Sequence, residues 1–221
     1  MKKIATTTLL LLSTSLLTAE TPKEFNGALK LGTLGYGVDI STPIKESLSA
    51  RFNINGLSYT DSQSSDDNDF EGTLDLFTLG AVVDYYPFST NFRLSSGLYY
   101  NGNGFSGTVT PNATVKIDIN DKEYSSSEIG HLDSTVSFNS IAPYLGLGWG
   151  NDAHDKGWGF TFDLGVLYHG TPKVKLTAVD VNPLVADEVA TNVKIEEEKA
   201  NSDLSSFKFF PVLSIGVNYT F

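Results

Sequence analysis

Large apolar residues occupy every second position over several stretches of the chain, and the residues between them are mostly small or polar. The clearest stretch runs from Trp158 to Tyr168, where every even-numbered residue is large and apolar. Residues 48–55 and 92–101 alternate in a similar way. Because successive side chains of a β-strand point to opposite faces, this pattern predicts strands with one apolar face and one polar face.

Seven alternating segments are recognisable along the chain. They lie near residues 28–40, 47–60, 71–86, 92–106, 136–149, 158–176 and 206–221. A closed antiparallel sheet needs an even number of strands, so we expect residues 24–41 to hold two short strands joined by a tight turn near Gly32 to Gly35. The predicted fold is all-β: an eight-stranded antiparallel transmembrane β-barrel with short periplasmic turns and long extracellular loops.

The links between the segments alternate in length. Short links are predicted near residues 42–46, 87–91 and 150–157, and long links near 60–70, 106–135 and 177–205. Within the long links, residues 61–69 read as a mobile acidic tip, 107–135 as holding a small hairpin with 114–119 as one arm, and 183–203 as partly helical. A helix there is expected to lie over the mouth of the barrel. Pro143 predicts a bulge or local irregularity in its strand, since proline cannot donate to the ladder.

Aromatic residues cluster near the ends of the predicted strands, as the two aromatic girdles of outer-membrane barrels do. The periplasmic girdle is predicted to contain Tyr85, Tyr86, Phe88, Phe92, Trp149, Trp158, Tyr219 and Phe221. The outer girdle is predicted to contain Tyr59, Phe70, Tyr100, Phe105 and Phe207. These two sets predict that the polypeptide crosses the membrane once in each strand.

The C-terminal segment alternates up to its last residue, an aromatic. Its apolar positions are Leu213, Ile215, Val217, Tyr219 and Phe221. This pattern resembles the assembly signal of bacterial outer-membrane barrels. It predicts that the barrel-assembly machinery is a partner of this strand, and that outer-membrane lipid and lipopolysaccharide surround the folded protein.

The N-terminus has the layout of a secretory signal peptide. Two lysines follow Met1, an apolar run of about 14 residues extends from Ile4 to Leu17, and Ala19 closes a cleavage site. The run is shorter than the roughly 20 residues that a membrane-spanning helix needs. We therefore expect residues 1–19 to be a signal peptide, residues 20–221 to form the barrel domain, and the mature protein to be located in the cell outer membrane.

The composition excludes several classes of function. The chain has no Cys, so disulfides, thiolate metal sites, a catalytic thiol and a lipidated N-terminal Cys are absent. Its net charge is -11, which argues against nucleic acid as a partner and against wrapping around phosphate-rich lipid. An acidic surface favours small cationic solutes, or serves only to keep the loops hydrated.

Four charged residues fall on the polar phase of the predicted strands and are the lumen-lining candidates: Arg51, Asp84, Arg93 and Asp163. An Arg on the lipid face at mid-bilayer costs about 2–4 kcal/mol, so alternation places these side chains in the lumen. Two readings stay open. The charges fill the interior as a polar core, because an eight-stranded barrel is only wide enough for its own side chains, or they line a path for small solutes.

The sequence offers no convincing catalytic or metal site. The three histidines are His131, His154 and His169, and none lies beside rigid partners that would orient a base. Residues 67–72 echo the start of a calcium loop, but Thr78 stands where the twelfth-position Glu belongs. No catalytic residue, metal ligand or cofactor is therefore predicted, apart from loose divalent-cation binding by the acidic loop.

Four segments resemble CarO-type outer-membrane proteins, a family named for its association with carbapenem resistance and linked to ornithine uptake. The segments are residues 32–37, 141–149, 158–175 and 210–221. The resemblance implies a bacterial outer-membrane barrel that passes small cationic amino acids. The long loops differ in sequence from those of the family, so neither the substrate nor any site residue carries over.

Three functions are left in play. The first is a narrow porin-like channel for small cationic or amino-acid solutes. The second is a non-conducting structural or surface-interaction barrel that presents its extracellular loops. The third, more distant, is an enzyme of the outer membrane that modifies lipid. We do not expect an enzyme.

Overall fold

The structure is a computed structural model. It describes residues 24–64, 68–88, 90–111, 116–150 and 156–221. The predicted signal peptide, residues 1–19, lies outside the described residues. Within the described ranges, no α-helix is both long enough and apolar enough to cross a membrane.

The described residues form an all-β, antiparallel fold with one long helix, which confirms the all-β part of the prediction. The strands are β1 (Asn26–Gly32), β2 (Gly35–Lys45), β3 (Leu48–Ser64), β4 (Asn68–Tyr85), β5 (Phe92–Asn101), β6 (Gly104–Pro111), β7 (Lys116–Ile119), β8 (Lys122–Ser125), β9 (His131–Ser137), β10 (Ile141–Trp149), β11 (Gly157–Tyr168), β12 (Lys173–Val179) and β13 (Phe209–Thr220). The helix is α1 (Ala186–Asp203), and a short 3₁₀ turn follows it (Leu204–Ser206).

Eight strands pair in a cycle that closes on itself, and we call them the ring. β1 pairs with β2, β2 with β3, β3 with β4 and β4 with β5. β5 then pairs with β10, β10 with β11, β11 with β13, and β13 with β1. All these pairings are antiparallel. The first two strands meet at a tight turn of Thr33 and Leu34, as predicted for residues 24–41.

The sheet continues beyond one end of the ring. There β4 pairs with β6, β6 with β9, and β9 with β12. We call the upper parts of β3 (57–64) and β4 (68–75), together with β6, β9 and β12, the distal sheet. The whole sheet thus has eleven strands. The number exceeds eight because three strands of the ring are extended beyond a short interruption. β5 continues into β6, β9 leads into β10, and β11 continues into β12.

The predicted long link at residues 60–70 is wrong, because most of it is strand. β3 and β4 remain paired as far as Ser64 and Asp69. Polar side chains stabilise this extension by cross-strand hydrogen bonds: Ser58 Oγ donates to Asp75 Oδ1 at 2.6 Å, and the hydroxyls of Thr60 and Thr73 lie 2.9 Å apart. Residues 61–69 are all polar, so this stretch lacks the alternation on which the prediction depended.

The ring distributes its side chains in the opposite way to a water-soluble protein, with apolar residues outside and polar residues inside. Its outward face carries large apolar residues that are widely exposed, such as Phe160 at 82%. Its inward face carries buried polar and charged residues, such as Arg51 at 1%. Contiguous exposed apolar surface of this kind marks a region that contacts something other than water. The inward and outward phases follow the alternation read from the sequence.

Two proline positions differ from expectation. Pro143 pairs with Leu98 in an uninterrupted β5–β10 register, so the bulge predicted there is wrong. The β10–β11 register begins one residue later, at Tyr144, and Pro143 therefore sits beyond that ladder. A register shift occurs instead between Pro43 and Lys45, where β2 extends through the predicted link at 42–46.

A second core lies at the distal end, outside the ring. The predicted hairpin is present as β7 and β8, and its Ile119 and Tyr124 pack with Val189 and Val193 of α1. The predicted helix is also present. It packs against β12 and the hairpin, and covers the distal sheet rather than standing free.

The edge strand of the distal sheet, β12, is protected by side chains of the helix. The Asn201 amide donates to the Val174 carbonyl and accepts from the Val174 N–H, both at 2.9 Å. Glu197 accepts from the Leu176 N–H at 2.9 Å. These side chains satisfy backbone groups that an uncovered edge would leave open to other chains.

The aromatic residues form two outward-facing sets at the two ends of the ring. One set includes the packed rings of Phe88, Phe92 and Trp149, and those of Trp158, Tyr219 and Phe221. The other set, at the distal end, includes the ring pairs Phe77–Tyr100 and Tyr168–Phe209.

Some predicted girdle members are wrong. Tyr59, Phe70 and Phe105 lie in the distal sheet, on the face that continues the inner face of the ring. Tyr59 and Phe105 both pair with Leu74. Phe70 lies on the same face of β4 as Gly72, two residues further along the strand. Tyr86 is buried rather than exposed at the surface. Proximity to a strand end does not reveal which face a side chain occupies, and the phase of the extended strands was not readable.

Candidate functional site

The structure brings the four lumen-lining candidates together inside the ring. Arg51 of β3, Asp84 of β4, Arg93 of β5 and Asp163 of β11 are each 0–2% exposed. They come from four strands, and each lies on the inward phase of its strand. Buried charges of this kind are retained in proteins only when they are paired.

Arg51 and Asp84 form the best-aligned pair of the group. Arg51 Nε donates to Asp84 Oδ2 at 2.7 Å, and Arg51 Nη2 donates to Asp84 Oδ1 at 2.9 Å. Ser95 adds a third hydrogen bond, from its Oγ to Asp84 Oδ1 at 2.5 Å. Two parallel bonds between guanidinium and carboxylate fix the relative orientation of both side chains.

Arg93 joins the pair to the other side of the ring. Its Nη2 donates to Asp163 Oδ1 at 2.5 Å and to Thr161 Oγ1 at 3.0 Å, and its Nη1 donates to the Gly150 carbonyl. Gly148 makes room for the guanidinium, because a Cβ there would lie 2.9 Å from Arg93 Nε and Cζ.

Two further members, Lys30 and Asp39, were missed in the sequence. Lys30 Nζ lies 2.6 Å from Asp39 Oδ2 and 3.0 Å from Asp163 Oδ2, while Arg51 Nη1 lies 3.1 Å from Asp39 Oδ2. The signal was present: Lys30 stands between two exposed leucines of β1, and Asp39 between Val38 and Ile40 of β2. β1 has seven residues and β2 has eleven, but the prediction for residues 24–41 assigned no inward or outward phase to its two strands.

These six residues, the ionic cluster, contain three cations and three carboxylates and are formally neutral. Each carboxylate contacts at least two of the cations. Removing one member would leave a buried charge without full compensation, which is far more costly than the gain from an intact pair. The arrangement therefore holds the strands of the ring in a fixed relation.

An apolar layer closes the interior on the distal side of the ionic cluster. Its buried members are Leu34, Val82, Tyr99, Ala142, Tyr144, Leu167 and Val212. The rings of Tyr99 and Tyr144 are 5.3 Å apart. The turn that carries Leu34 is held by Thr33, whose backbone N–H donates to the Leu213 carbonyl at 2.9 Å and whose hydroxyl donates to the Pro211 carbonyl at 2.9 Å.

Little empty space remains between the ionic cluster and the apolar layer. The cavity there has a volume of about 10 Å³ and is lined by residues of both groups, including Arg51, Asp163, Leu34 and Tyr144. That volume holds about one water molecule. In chemical terms the interior is a polar core of paired charges under an apolar cover, although Asp39 Oδ1 and Arg93 Nε form no hydrogen bond among the described residues.

The other sequence candidates lie away from the ionic cluster. His131 Nε2 lies 3.7 Å from Asp133 Oδ2 in β9. His169 follows β11, packs edge-on against Phe138, and its Nδ1 is buried without a hydrogen-bond partner. Burial lowers the pKa of His169 from its ordinary value. His154 and Asp67 lie outside the described residues, and the residues described form no group of three or more potential metal ligands.

The apolar residues of the C-terminal segment all lie on the outward face of β13. Leu213, Ile215, Val217, Tyr219 and Phe221 are each at least 36% exposed. β13 pairs with β11 on one side and with β1 on the other, so it forms the seam of the ring. The backbone N–H of Phe221 donates to the Phe25 carbonyl at 3.0 Å and extends the seam to the last residue.

The fold matches those of solved outer-membrane proteins. CarO2 of Acinetobacter baumannii superimposes with a TM-score of 0.59 at 20% identity, over 91% of this chain and all of CarO2. CarO of the same organism gives a TM-score of 0.57 at 23% identity, over 89% of this chain and 97% of CarO. No protein-family model and no curated protein sequence matches the chain.

The two superpositions cover the ring and the distal sheet alike, since they span about nine tenths of the chain. The resemblance predicted from residues 32–37, 141–149, 158–175 and 210–221 is thereby confirmed. The sequence identity is low enough that the likeness concerns the fold, and the function must be argued from the residues of this chain. The protein has the fold of a CarO-type outer-membrane barrel.

Proposed function

We propose that this protein is a bacterial outer-membrane barrel with a closed lumen, which anchors a folded distal subdomain at the cell surface. The eight strands of the ring cross the membrane, and the distal sheet, the hairpin and α1 stand outside the cell. The protein acts as a structural or surface-interaction barrel rather than as an open pore. The small cavity in its interior, about 10 Å³, is the observation that carries the proposal.

The closed lumen supports this function over a channel. Ions and amino acids need a continuous aqueous path, and here the ionic cluster and the apolar layer lie one above the other across the ring. The charges that would attract a solute are already paired with one another. An eight-stranded barrel has an interior filled by its own side chains, in agreement with this reading.

The aromatic sets support the placement in the membrane. Phe77 and Tyr85 mark the two levels on one strand, eight residues apart, which is about 27 Å of strand. With a tilt of about 40° this length spans about 21 Å along the membrane normal, close to the apolar band of outer-membrane barrels, about 25 Å tall. The short links at 46–47 and 86–91 then face the periplasm, and the distal sheet faces outward.

Orientation can be tested by cysteine labelling, because the chain has no Cys of its own. Glu123→Cys places a thiol in the distal hairpin, and Glu46→Cys places one in the turn between β2 and β3, both at exposed positions. In intact cells a membrane-impermeant maleimide is expected to label the first variant only. Both should react once the outer membrane is broken. Labelling of Glu46→Cys alone in intact cells would reverse the orientation.

The lumen can be tested by conductance. Refolded protein in planar bilayers is expected to give no steps in potassium, ornithine or glycine solutions, and liposomes holding it are expected not to swell in those solutes. A wide porin in the same bilayers serves as the positive control. Conductance steps in the wild-type protein that become larger in Arg93→Ala would show that ions pass through the lumen, and they would overturn the proposal.

The channel and the enzyme remain predictions from the sequence. Passage of small cationic solutes requires the ionic cluster to rearrange, and the conductance assay measures that directly. Lipid-modifying activity would appear as an altered lipid profile in cells that overproduce the protein. Secretion by a signal peptide and assembly through the C-terminal strand belong to the same proposal. The first is tested by determining the N-terminus of the processed protein, and the second by the Phe221→Ala variant described below.

A further inference from the structure

The outward face of the distal sheet continues the lipid-facing side of the ring but changes its chemistry. On β4 the outward residues pass from Phe77 to Asp75 and Thr73. Asp75 and Thr73 each belong to a row of residues that lie side by side on neighbouring strands. One row is Asp75, Gly104, Ser137 and Lys173, and the next is Thr73, Ser106, Thr135 and Lys175. Hydroxyls and charges thus replace aromatic rings at the distal end of the ring.

Two lysines end these rows on β12, and we call Lys173 and Lys175 the lysine pair. Both are exposed, and their partners in register, Ser137 and Thr135, are exposed hydroxyl residues. In the described part of the chain, neither lysine forms an ion pair. By contrast, Lys116, Lys122 and Lys199 each pair with a carboxylate.

Two carboxylates near β12 make contacts with other groups. Asp133, opposite Thr177 in the following row, accepts a hydrogen bond from Thr108 at 2.7 Å and lies 3.7 Å from His131. Glu197 of α1 accepts from the backbone of Leu176. The lysine pair is therefore a pair of exposed cations with no ion-pair partner among the described residues and with hydroxyl groups beside it, on a chain whose net charge is -11.

The height of the lysine pair places it beside the headgroups of the outer leaflet. Tyr168 and Phe209 form the aromatic level nearest to it, with ring centres 5.3 Å apart. Lys173 follows Tyr168 by five residues across the interruption between β11 and β12. Along β4, the rows that end in Lys173 and Lys175 lie two and four residues beyond Phe77 of the same aromatic set, which is about 7 and 14 Å of strand.

We propose that the lysine pair, with Ser137 and Thr135, binds the phosphorylated sugar headgroup of the glycolipid that surrounds the barrel in the outer leaflet. Lysine ammonium groups bind phosphate as point charges, and the hydroxyls suit the sugar. The acidic net charge of the chain disfavours contact with phosphate over most of its surface, and the lysine pair is a local exception. The inference rests on the proposed function, because only an inserted barrel brings this face beside lipid.

The test compares lipid retention by inserted protein. Wild-type protein and Lys173→Gln/Lys175→Gln are refolded into phosphatidylcholine nanodiscs that contain bisphosphorylated lipid A, and retained lipid is counted by native mass spectrometry after release into detergent. The double variant is expected to retain about tenfold less lipid A at equal lipid concentration. Lys45→Gln/Lys194→Gln removes the same charge from two other exposed lysines and is expected to behave as wild type.

Two further arms identify the ligand. Dephosphorylated lipid A is expected to be retained no better than phosphatidylcholine, and inorganic phosphate at millimolar concentration is expected not to displace lipid A. Equal retention by wild type and the lysine-pair variant would overturn the inference, and so would loss of lipid A to free phosphate or equal retention of the dephosphorylated lipid. Failure of wild-type protein to insert at all would instead contradict the proposed function.

Discussion

Arg51 and Asp84 face each other across neighbouring strands with two parallel hydrogen bonds of 2.7 and 2.9 Å. Neither side chain is more than 1% exposed. The pair is the centre of the ionic cluster, because Arg51 also contacts Asp39 and Asp163. The outward face of the ring is apolar, and its most specific contacts lie inside, where they are charged.

Breaking this pair is expected to destabilise the ring strongly. Asp84→Asn keeps the shape but removes the charge that compensates Arg51 and Arg93, so the free energy of unfolding should fall by about 3–5 kcal/mol. Urea unfolding of protein folded in lipid vesicles measures the change. The control is Lys116→Gln, which removes an exposed ion pair with Glu123 and should cost less than about 1 kcal/mol. Equal effects would mean that the buried pair contributes no more than a surface one.

Glycine residues under Tyr144 are expected to be necessary for the apolar layer. A Cβ on Gly165 would lie 2.6 Å from ring atoms of Tyr144, so Gly165→Ala forces the ring to move and should cost about 1–3 kcal/mol. Gly27 is the matched control, since its Cβ would meet no atom within 4 Å. The midpoint of urea unfolding should fall for Gly165→Ala and stay unchanged for Gly27→Ala.

Asn201 is expected to stabilise the distal subdomain without affecting the ring. Asn201→Leu removes both hydrogen bonds to Val174 and leaves backbone groups of β12 unpaired, at a cost of about 1–3 kcal/mol. Hydrogen exchange should quicken in β12 and α1 but not in β1 or β13. Ser202→Ala, an exposed change on the same helix turn, should leave exchange unaltered. Faster exchange throughout the ring would show that the two cores unfold together.

Acid is expected to weaken the junction between β11 and β12 through His169. Burial lowers the pKa of His169, so the unfolded chain binds the proton more readily than the folded one. The stability that the neutral ring contributes is complete above the unfolded pKa of about 6.5 and is lost as the pH falls below it. The difference in melting temperature, His169→Leu minus wild type, should therefore increase as the pH is lowered from 7.5 to 5. A constant difference would contradict this.

The last residue is expected to matter for assembly more than for the stability of the folded state. Phe221→Ala keeps the backbone hydrogen bond to Phe25 but removes a ring that is 71% exposed and packs on Tyr219. Folding assisted by purified assembly machinery should slow for this variant, while unassisted folding into thin bilayers should change little. The same substitution at Phe160, exposed on the middle of β11, is the control and should leave assisted folding unchanged.

Alternation was sufficient to predict the ring and four members of its ionic cluster. It identified the turn at Thr33 and Leu34 and the inward phase of Arg51 and Asp163, because each face of those strands has a different solvent. Alternation failed as a guide where the two faces of a strand no longer differ in polarity. Residues 61–69 are all polar, so they looked like a loop although they lie mostly in β3 and β4. Lys30 and Asp39 lie in β1 and β2, to which the prediction for residues 24–41 assigned no phase.

The closure of the interior was also beyond the sequence. Which residues fill a lumen depends on register between strands that are far apart in the chain, such as Tyr99 of β5 and Leu34 of the first turn. Composition alone could not distinguish a polar core from a solute path. The register brings each charge to an opposite charge, and that pairing supports the polar-core reading.

The seam between β1 and β13 has a consequence for the order of events during folding. Asn26 and Thr220 are opposite each other in this seam although 194 positions separate them in the chain. No nascent or truncated polypeptide that lacks its final strand can complete the cylinder, whatever else has already paired. Until that moment two strand edges are open, and contacts of such long range form slowly. Closure is therefore a terminal, all-or-nothing event, and amides of the seam should be the last in the ring to gain protection from exchange.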